Sequence, residues 1–171
     1  MHIKEETTKR NTLAIMVDNE PGILARIAGL FTARGYNIES LTVSDVTSDK
    51  AVSRITIVTS ASDHVMEQIL AQLDRLIPVH SVTDLTALGP HVERELALVK
   101  VRGTGDHRIE ALRLADVYRA RVVDATTTSF VFEVTGGPDK IDTFITLMRE
   151  VGLIEVARTG IVAIARGKGT A

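Results

Sequence analysis

The stretch VDNEPGILARIAGLF, residues 17–31, joins two apolar segments of different periodicity through a proline and a glycine. Before it, Leu13 and Ile15 alternate with smaller side chains, which is the two-residue period of a strand. After it, apolar residues recur at helical spacing. The stretch therefore predicts a strand and then a helix, with Pro21 in the first helical turn, where its missing N–H costs nothing.

The rest of the first half completes the order βαββαβ. Gly35 suits the end of the first helix, and two β-rich runs follow at residues 38–46 and 52–59, joined by a polar turn. Ser62-Asp63 suits the N-cap of a second helix, and residues 77–83 read as a short strand.

The same order recurs after Gly89-Pro90, where the dipeptide breaks the pattern. Asp106 is placed to cap one helix, Gly137-Pro138 opens another, and residues 153–165 form a final β-rich segment with a bend at Gly160. An element order that repeats after about eighty residues indicates two copies of one architecture. We therefore predict an α+β protein of two ferredoxin-like βαββαβ sandwiches, each a four-stranded sheet with two helices on one face.

The predicted division of the chain follows from these elements. It is a mobile tail at residues 1–11, a first domain at 12–86, a linker at 87–92, a second domain at 93–167 and a short tail at 168–171. Helices on one face leave the other face of each sheet bare, and Ile57 and Val58 place apolar side chains on both faces of one strand. Because free sheet edges also need cover, we expect self-association, edge to edge or face to face.

The Asn19-Glu20-Pro21-Gly22 turn offers chemistry for a small zwitterion. A helix N-terminus carries unpaired N–H groups and about half a positive charge, and Gly22 would let a carboxylate approach the N–H groups of Gly22, Ile23 and Leu24. Asn19 adds an amide donor and a carbonyl acceptor, the latter suited to an ammonium group. From local chemistry alone, the alternative is that Pro21 and Gly22 only form the turn and bind no ligand.

Composition narrows the class of protein. There is no cysteine, the formal net charge is −2, and no apolar run reaches the length of a membrane helix. The first ten residues are charged and lack the apolar core of a signal peptide. We expect a cytoplasmic protein without thiolate metal sites or a general attraction to nucleic acid.

Several other activities are disfavoured by the residues themselves. The five histidines, which are His2, His64, His80, His91 and His107, never stand at metal-ligand spacing, and no serine lies in a G-x-S-x-G elbow. Gly103-Thr104-Gly105 lacks the third glycine of a dinucleotide motif. RNA-recognition modules share the βαββαβ order, but the strand AVSRITIVTS carries no aromatic side chain on which a base could stack.

Four motifs resemble known families. DNEPGILARIAGLF resembles the first turn of ACT domains, which are small βαββαβ modules that bind amino acids. RGYNIESLTV at residues 34–43, HVERELALVKV at 91–101 and EVARTGIVAIARG at 155–167 resemble, in this order, the small regulatory subunit of acetolactate synthase. The resemblance spans Thr12 to Gly167, and it identifies the first domain as an ACT domain.

The resemblance implies a regulatory subunit that is not itself the catalyst. Its partner is a large subunit that uses thiamine diphosphate, magnesium and FAD, and none of these cofactors is bound by the small subunit. That enzyme joins two pyruvates, or pyruvate and 2-oxobutyrate, at the start of valine, leucine and isoleucine synthesis. The small subunit raises its activity and confers feedback inhibition, usually by valine.

The resemblance also implies a homodimer formed through ACT domains, with effector sites at its interface. One chain contributes Asn19, Gly22, Ile23 and Leu24, and the neighbouring chain contributes Asn37 and Ile38. For Asn37, a plain turn role is the alternative. A free-standing ACT-type sensor that serves another enzyme or regulator remains the alternative function.

Overall fold

The computed structural model describes residues 7–169, which form nine strands and five helices. Their bounds are β1 Lys9–Asp18, α1 Ile23–Ala33, β2 Ser40–Asp45, β3 Val52–Ala61, α2 Asp63–Asp74, β4 Val79–Asp84, α3 Leu85–Leu88, β5 His91–Arg102, α4 Asp106–Val117, β6 Arg121–Ala125, β7 Ser129–Gly136, α5 Pro138–Val151, β8 Leu153–Arg158 and β9 Val162–Ala165. The chain divides into two compact units. One runs to Val92 and also includes the chain from Ile161 onward, and the other is Glu93–Gly160.

The first unit is a four-stranded antiparallel sheet in the order β2-β3-β1-β4. Leu13 pairs with Ile57 and Ile15 pairs with Ile55, so these four side chains share one face of the sheet. All four are buried in a core with apolar residues of α1 and α2, such as Ile27. Burial of this face against both helices is what fixes the end of β1 and the start of α1, where the candidate site lies.

In the second sheet, β6, β7, β5 and β8 repeat that topology in this order, and β9 is a fifth strand that pairs with β5. The core of the second unit is richer in aromatic side chains, since Phe132 lies 5.5 Å from Phe130 and 6.4 Å from Phe144, measured between ring centroids. Gly137 and Pro138 open α5 as expected, with proline in the first turn. The predicted fold class, two ferredoxin-like sandwiches, is confirmed.

The far face of the first sheet, the one opposite α1 and α2, is not bare, and that expectation was wrong. Thr12, Ala14, Thr56 and Val58 alternate with the core residues on β1 and β3, and each is at most 2% exposed. The C-terminal segment, which we define as Ile161–Ala165, reaches this face through three hydrogen bonds and a small apolar cluster with α3. The chain thus covers this face with its own residues, which sequence periodicity did not reveal.

Some elements begin or end away from the predicted boundaries. β1 starts at Lys9 inside the expected first tail, because residues 9–12 continue the pairing with β3 as far as Ala61. The predicted linker holds the end of α3 and the start of β5. Residues 1–6 and 170–171, which belong to the predicted tails, lie outside the described part of the chain. Within residues 7–169, no helix is both long enough and apolar enough to cross a membrane.

Candidate functional site

The turn between β1 and α1 is tighter than the sequence predicted. Glu20 N–H donates to the Asp18 carbonyl at 2.9 Å, and Ile23 N–H donates to the Glu20 carbonyl at 3.3 Å. Gly22 has φ 86° and ψ −7°, a left-handed conformation that favours glycine. Pro21 therefore lies in the turn before the helix, and the prediction of Pro21 in the first helical turn was wrong.

The start of α1 presents unpaired main-chain donors. The first helical hydrogen bond runs from Arg26 N–H to the Gly22 carbonyl at 3.0 Å. Ile23 N–H is used by the turn, whereas the N–H groups of Gly22, Leu24 and Ala25 have no acceptor among residues 7–169. A Cβ at Gly22 would meet no atom within 4 Å, so the space beside these donors is open. Two of the three predicted donors are thus free, and Ala25 is an additional one.

Asn19 is anchored by its amide group. Its Nδ2 donates to Asp45 Oδ1 at 3.1 Å and to the Lys50 carbonyl at 2.9 Å, so both donors are in use. Asp45 Oδ1 also accepts a hydrogen bond from Ser53 Oγ at 3.2 Å. The turn therefore combines free N–H donors on one side with the Asn19 carbonyl and the Asp45 carboxylate on the other, and the two sides are complementary to a carboxylate and an ammonium group.

Asp45 and Lys50 are contacts that sequence reasoning missed. They lie in and beside the β2–β3 hairpin, more than twenty residues from Asn19 in the chain. Only the pairing of β1 with β3, together with the bond from Asn19 N–H to the Ala51 carbonyl, brings this hairpin to the end of β1. Within the hairpin turn, the Thr47 side chain and then the Ala51 N–H lower the pKa of Asp49, because both stabilise its charged form.

The predicted apolar residues differ in exposure. Ile23 is 6% exposed and belongs to the core below the turn, so its side chain supports the helix start from inside. Leu24 is 39% exposed beside the free donors, and Ile38 is half-buried against the same core. Leu24 and Ile38 are the two predicted residues whose side chains retain accessible apolar surface.

Asn37 lies at the other end of α1 from Gly22. Its carbonyl accepts a hydrogen bond from Thr59 Oγ1 at 2.6 Å, which fixes the main chain, while its side chain is exposed. α1 has 11 residues and hence a length of about 16 Å. That length exceeds the span of one amino acid, so a single chain does not bring Asn19 and Asn37 to the same ligand.

Two exposed contacts between a basic side chain and a carboxylate flank the turn. His80 Nε2 and Asp18 Oδ1 lie 2.6 Å apart, and Arg26 Nη1 and Glu20 Oε1 lie 3.5 Å apart. Exposed pairs contribute little to stability. Arg26 gives the Glu20 carboxylate beside Gly22 a cationic partner, which lowers the repulsion that an incoming carboxylate meets.

The other motifs have structural roles in this chain. No cluster of histidine, aspartate and glutamate suited to a metal ion occurs among residues 7–169, and His2 lies outside them. In the Gly103–Gly105 loop, a Cβ at Gly103 would come within 2.9 Å of the Phe130 ring. Arg108 stacks 4.2 Å above that ring and donates to the Gly103 carbonyl, so this glycine allows close packing.

Comparisons with known proteins agree on one family. A profile described as the small subunit of acetolactate synthase matches residues 94–167, and one described as the AHAS small subunit-like ACT domain matches residues 13–81. A probable acetolactate synthase small subunit from Archaeoglobus fulgidus is 48% identical over 158 residues, which cover 92% of this chain and 98% of that relative. The chain belongs to the acetolactate synthase small subunit family.

Two further relatives support this membership. The acetolactate synthase isozyme 3 small subunit of Salmonella typhimurium is 43% identical over 159 residues, covering 92% of this chain and 96% of its own length. The crystal structure of the acetolactate synthase small subunit from Thermotoga maritima matches with a TM-score of 0.86 at 34% identity, over 94% of this chain and 99% of that one. The resemblance of the sequence motifs to this family and the ACT assignment of the first domain are confirmed.

Proposed function

We propose that this chain is the feedback-sensing subunit of an acetolactate synthase. It binds the large catalytic subunit, raises the activity of that subunit, and transmits inhibition by valine in the synthesis of valine, leucine and isoleucine. Family membership supports the association with acetolactate synthase, and the geometry of the β1–α1 turn supports amino-acid binding. Thiamine diphosphate, magnesium and FAD would be held by the catalytic subunit, and a cytoplasmic location stays a prediction of the composition.

The observation that carries the proposal is the set of free N–H donors at Gly22, Leu24 and Ala25 beside the Asn19 carbonyl. Each hydrogen bond to a charged group contributes about 1.5–3 kcal/mol. Three or four such bonds, less the cost of association, correspond to micromolar to millimolar binding. That range suits a sensor of a metabolite that the pathway itself produces.

Two chains are needed to complete the proposed site. Asn19, Gly22, Ile23 and Leu24 line one side through main-chain or side-chain atoms, and Asn37 and Ile38 of a neighbouring chain close the other. β2 is an edge strand, and Val43 on it is 45% exposed, which favours edge-to-edge pairing of two first units. A ligand that bridges two chains stabilises one relative orientation by its differential affinity, and a bound catalytic subunit responds to that shift.

Gly22→Asp tests the site directly. The new carboxylate occupies the place of the ligand carboxylate, and we expect valine inhibition of the reconstituted enzyme to be lost. Gly22→Asn is the matched control, because it has the same shape and the same left-handed backbone strain without the charge. We expect it to keep measurable inhibition at raised valine concentration.

The measurement is a valine titration of acetolactate synthase activity, with calorimetry on the isolated subunit and a thermal melt of each variant. Inhibition of Gly22→Asp at the wild-type valine concentration would refute the site. Co-purification with a thiamine-diphosphate enzyme, assayed with and without valine, separates this function from a free-standing sensor, which would not bind the catalytic subunit.

A further inference from the structure

One residue of the C-terminal segment is held at both of its main-chain polar groups by side chains of β2. Ile161 N–H donates to Ser40 Oγ at 2.8 Å, and the Ile161 carbonyl accepts from Thr42 Oγ1 at 3.0 Å. Ser40 and Thr42 stand two residues apart on β2, so they point to the same far face of the sheet. Together they imitate the two hydrogen bonds with which a neighbouring strand would hold Ile161.

Two further contacts keep the segment on the first sheet. Arg54 Nη2 donates to the Ala163 carbonyl at 2.9 Å from β3, the strand next to β2. Ala163 packs with Ala14 and Leu85 in a small buried cluster. Ile161 and Ala163 are 7% and 6% exposed, so the segment is a packed layer and not a loose tail.

The strand that grips Ile161 also carries the predicted effector residues at its entrance. Asn37 and Ile38 precede Ser40, the first residue of β2, and Glu39 links them to it. The Glu39 N–H donates to the Val58 carbonyl at 2.8 Å. β2 pairs with a strand on one side only, because it is at the edge of the sheet. The two hydroxyl contacts to Ile161 therefore add hydrogen bonds on the far face of an edge strand whose main-chain ladder is formed with β3.

We infer that the C-terminal segment is a positioning element of the effector site, acting on Asn37 and Ile38 through Ser40 and Thr42. This role rests on the proposed response to valine. The segment follows Gly160 directly in the chain, and Gly160 ends the second unit. The segment thus follows the second unit directly in the chain and also covers the far face of the first sheet.

Reciprocity supplies a readout that a merely structural contact would not move. If the hydrogen bonds from Ser40 and Thr42 to Ile161 favour the arrangement of β2 that binds valine, then valine binding must stabilise those hydrogen bonds by the same factor. The Ile161 amide hydrogen is bonded to Ser40 Oγ, so its rate of hydrogen exchange measures how often this bond opens. We expect valine to slow exchange of the Ile161 amide hydrogen in the wild-type subunit.

Thr42→Val and Ser40→Ala each remove one hydroxyl with little change of shape. In the full complex with the catalytic subunit, we expect each to raise the half-inhibiting valine concentration about fivefold to tenfold, the factor for one lost hydrogen bond. Stimulation of the catalytic subunit at zero valine should be unchanged. Thr143→Val is the matched control: it loses a 2.7 Å hydroxyl bond to the Asp139 carbonyl in α5, and we expect its valine response to stay within about twofold of wild type.

The outcomes separate this role from the proposed function. A wild-type complex that responds to valine, with Ser40→Ala and Thr42→Val equally sensitive, overturns the positioning role alone. Wild-type exchange at Ile161 that ignores valine also overturns it. A wild-type subunit that neither binds a branched-chain amino acid nor confers inhibition overturns the proposed function, and the positioning role with it.

Discussion

The two units share one topology but differ in how much of the far face of each sheet is buried. In the first unit, Ala14 and Val58 on the far face are each 1% exposed beneath the C-terminal segment. In the second, Leu98 on the far face is 40% exposed, and it lies in a shallow groove with Lys100, Val131, Glu155 and Ala157. The same order of elements therefore builds one sheet with two buried faces and another with one.

The difference is tied to where the site lies. The segment that covers the far face of the first sheet is hydrogen-bonded to Ser40 and Thr42 of β2, the strand that follows Asn37 and Ile38. The second unit is stabilised by its aromatic core and by one ion cluster. Glu95, 4% exposed, accepts two hydrogen bonds of 2.7 Å from Arg158, which donates a third to Asp142.

Among these variants, Ala163→Asp should lower the unfolding free energy most, because it changes the covered far face of the first sheet. The new carboxylate would be buried among the apolar side chains of Ala14 and Leu85, and we expect the unfolding free energy to fall by about 4 kcal/mol. Ala157→Asp is the matched variant on the exposed far face of the second sheet, with an expected change within about 0.5 kcal/mol. Denaturant unfolding measures both, and equal effects would contradict the difference between the two faces.

Glu95→Gln tests the ion cluster of the second unit. Removing the charge of buried Glu95 deprives the partly exposed Arg158 guanidinium of an anionic partner, and we expect a loss of about 1–2 kcal/mol. Hydrogen bonds from Arg158 to Glu95 raise the pKa of Arg158, so the guanidinium stays charged throughout the accessible pH range.

Asp142→Asn is the control for that variant, since the Asp142 side chain is 60% exposed and its loss should cost less than about 1 kcal/mol. Hydrogen exchange should assign the loss in Glu95→Gln to strands β5 and β8. A loss spread evenly over both units would contradict a role of this ion cluster that is confined to β5 and β8.

Asp49→Asn should give the smallest effect. The Thr47 side chain and the Ala51 N–H lower the pKa of Asp49 in the folded chain. A depressed folded-state pKa adds stability above the unfolded-state pKa and loses it as the pH falls through the folded value. We therefore expect a small loss of thermal stability at neutral pH. The loss should shrink below the ordinary aspartate pKa of 3.8 and vanish once Asp49 is protonated in the folded chain, as measured by melting curves of both proteins between pH 7 and about pH 2.

Periodicity predicted the strands and helices of both units because each buries one face. Leu13 and Ile15 alternate, Ile141, Phe144, Ile145 and Met148 follow a helical stripe, and all are buried in the structure. The start of α1 was placed two residues early, because left-handed Gly22 ends the turn and Pro21 stays outside the helix. α3 was missed, since its four residues are too short to show a period, and Asp84 caps it with hydrogen bonds to the N–H groups of Thr86 and Ala87.

For the candidate site, local chemistry located the turn and two of its free donors, Gly22 and Leu24, and the motif resemblance gave the family that the comparisons confirm. The partners of Asn19 could not be predicted, because Asp45 and Lys50 reach it only through the register of β1 and β3. The pairing of two chains around the effector residues stays a prediction, supported by the distance between the two ends of α1.

The sequence by itself determined the two βαββαβ units, the free helix start at Gly22 and the family, since all three depend on residues close together in the chain. Only the tertiary structure decided that Ile161–Ala165 return to the first sheet and that Ser40 and Thr42 hold them. The physical reason is that hydroxyl-to-main-chain bonds between residues about 120 positions apart leave no periodic trace. Such bonds form only after burial of the two cores has fixed where the strands lie.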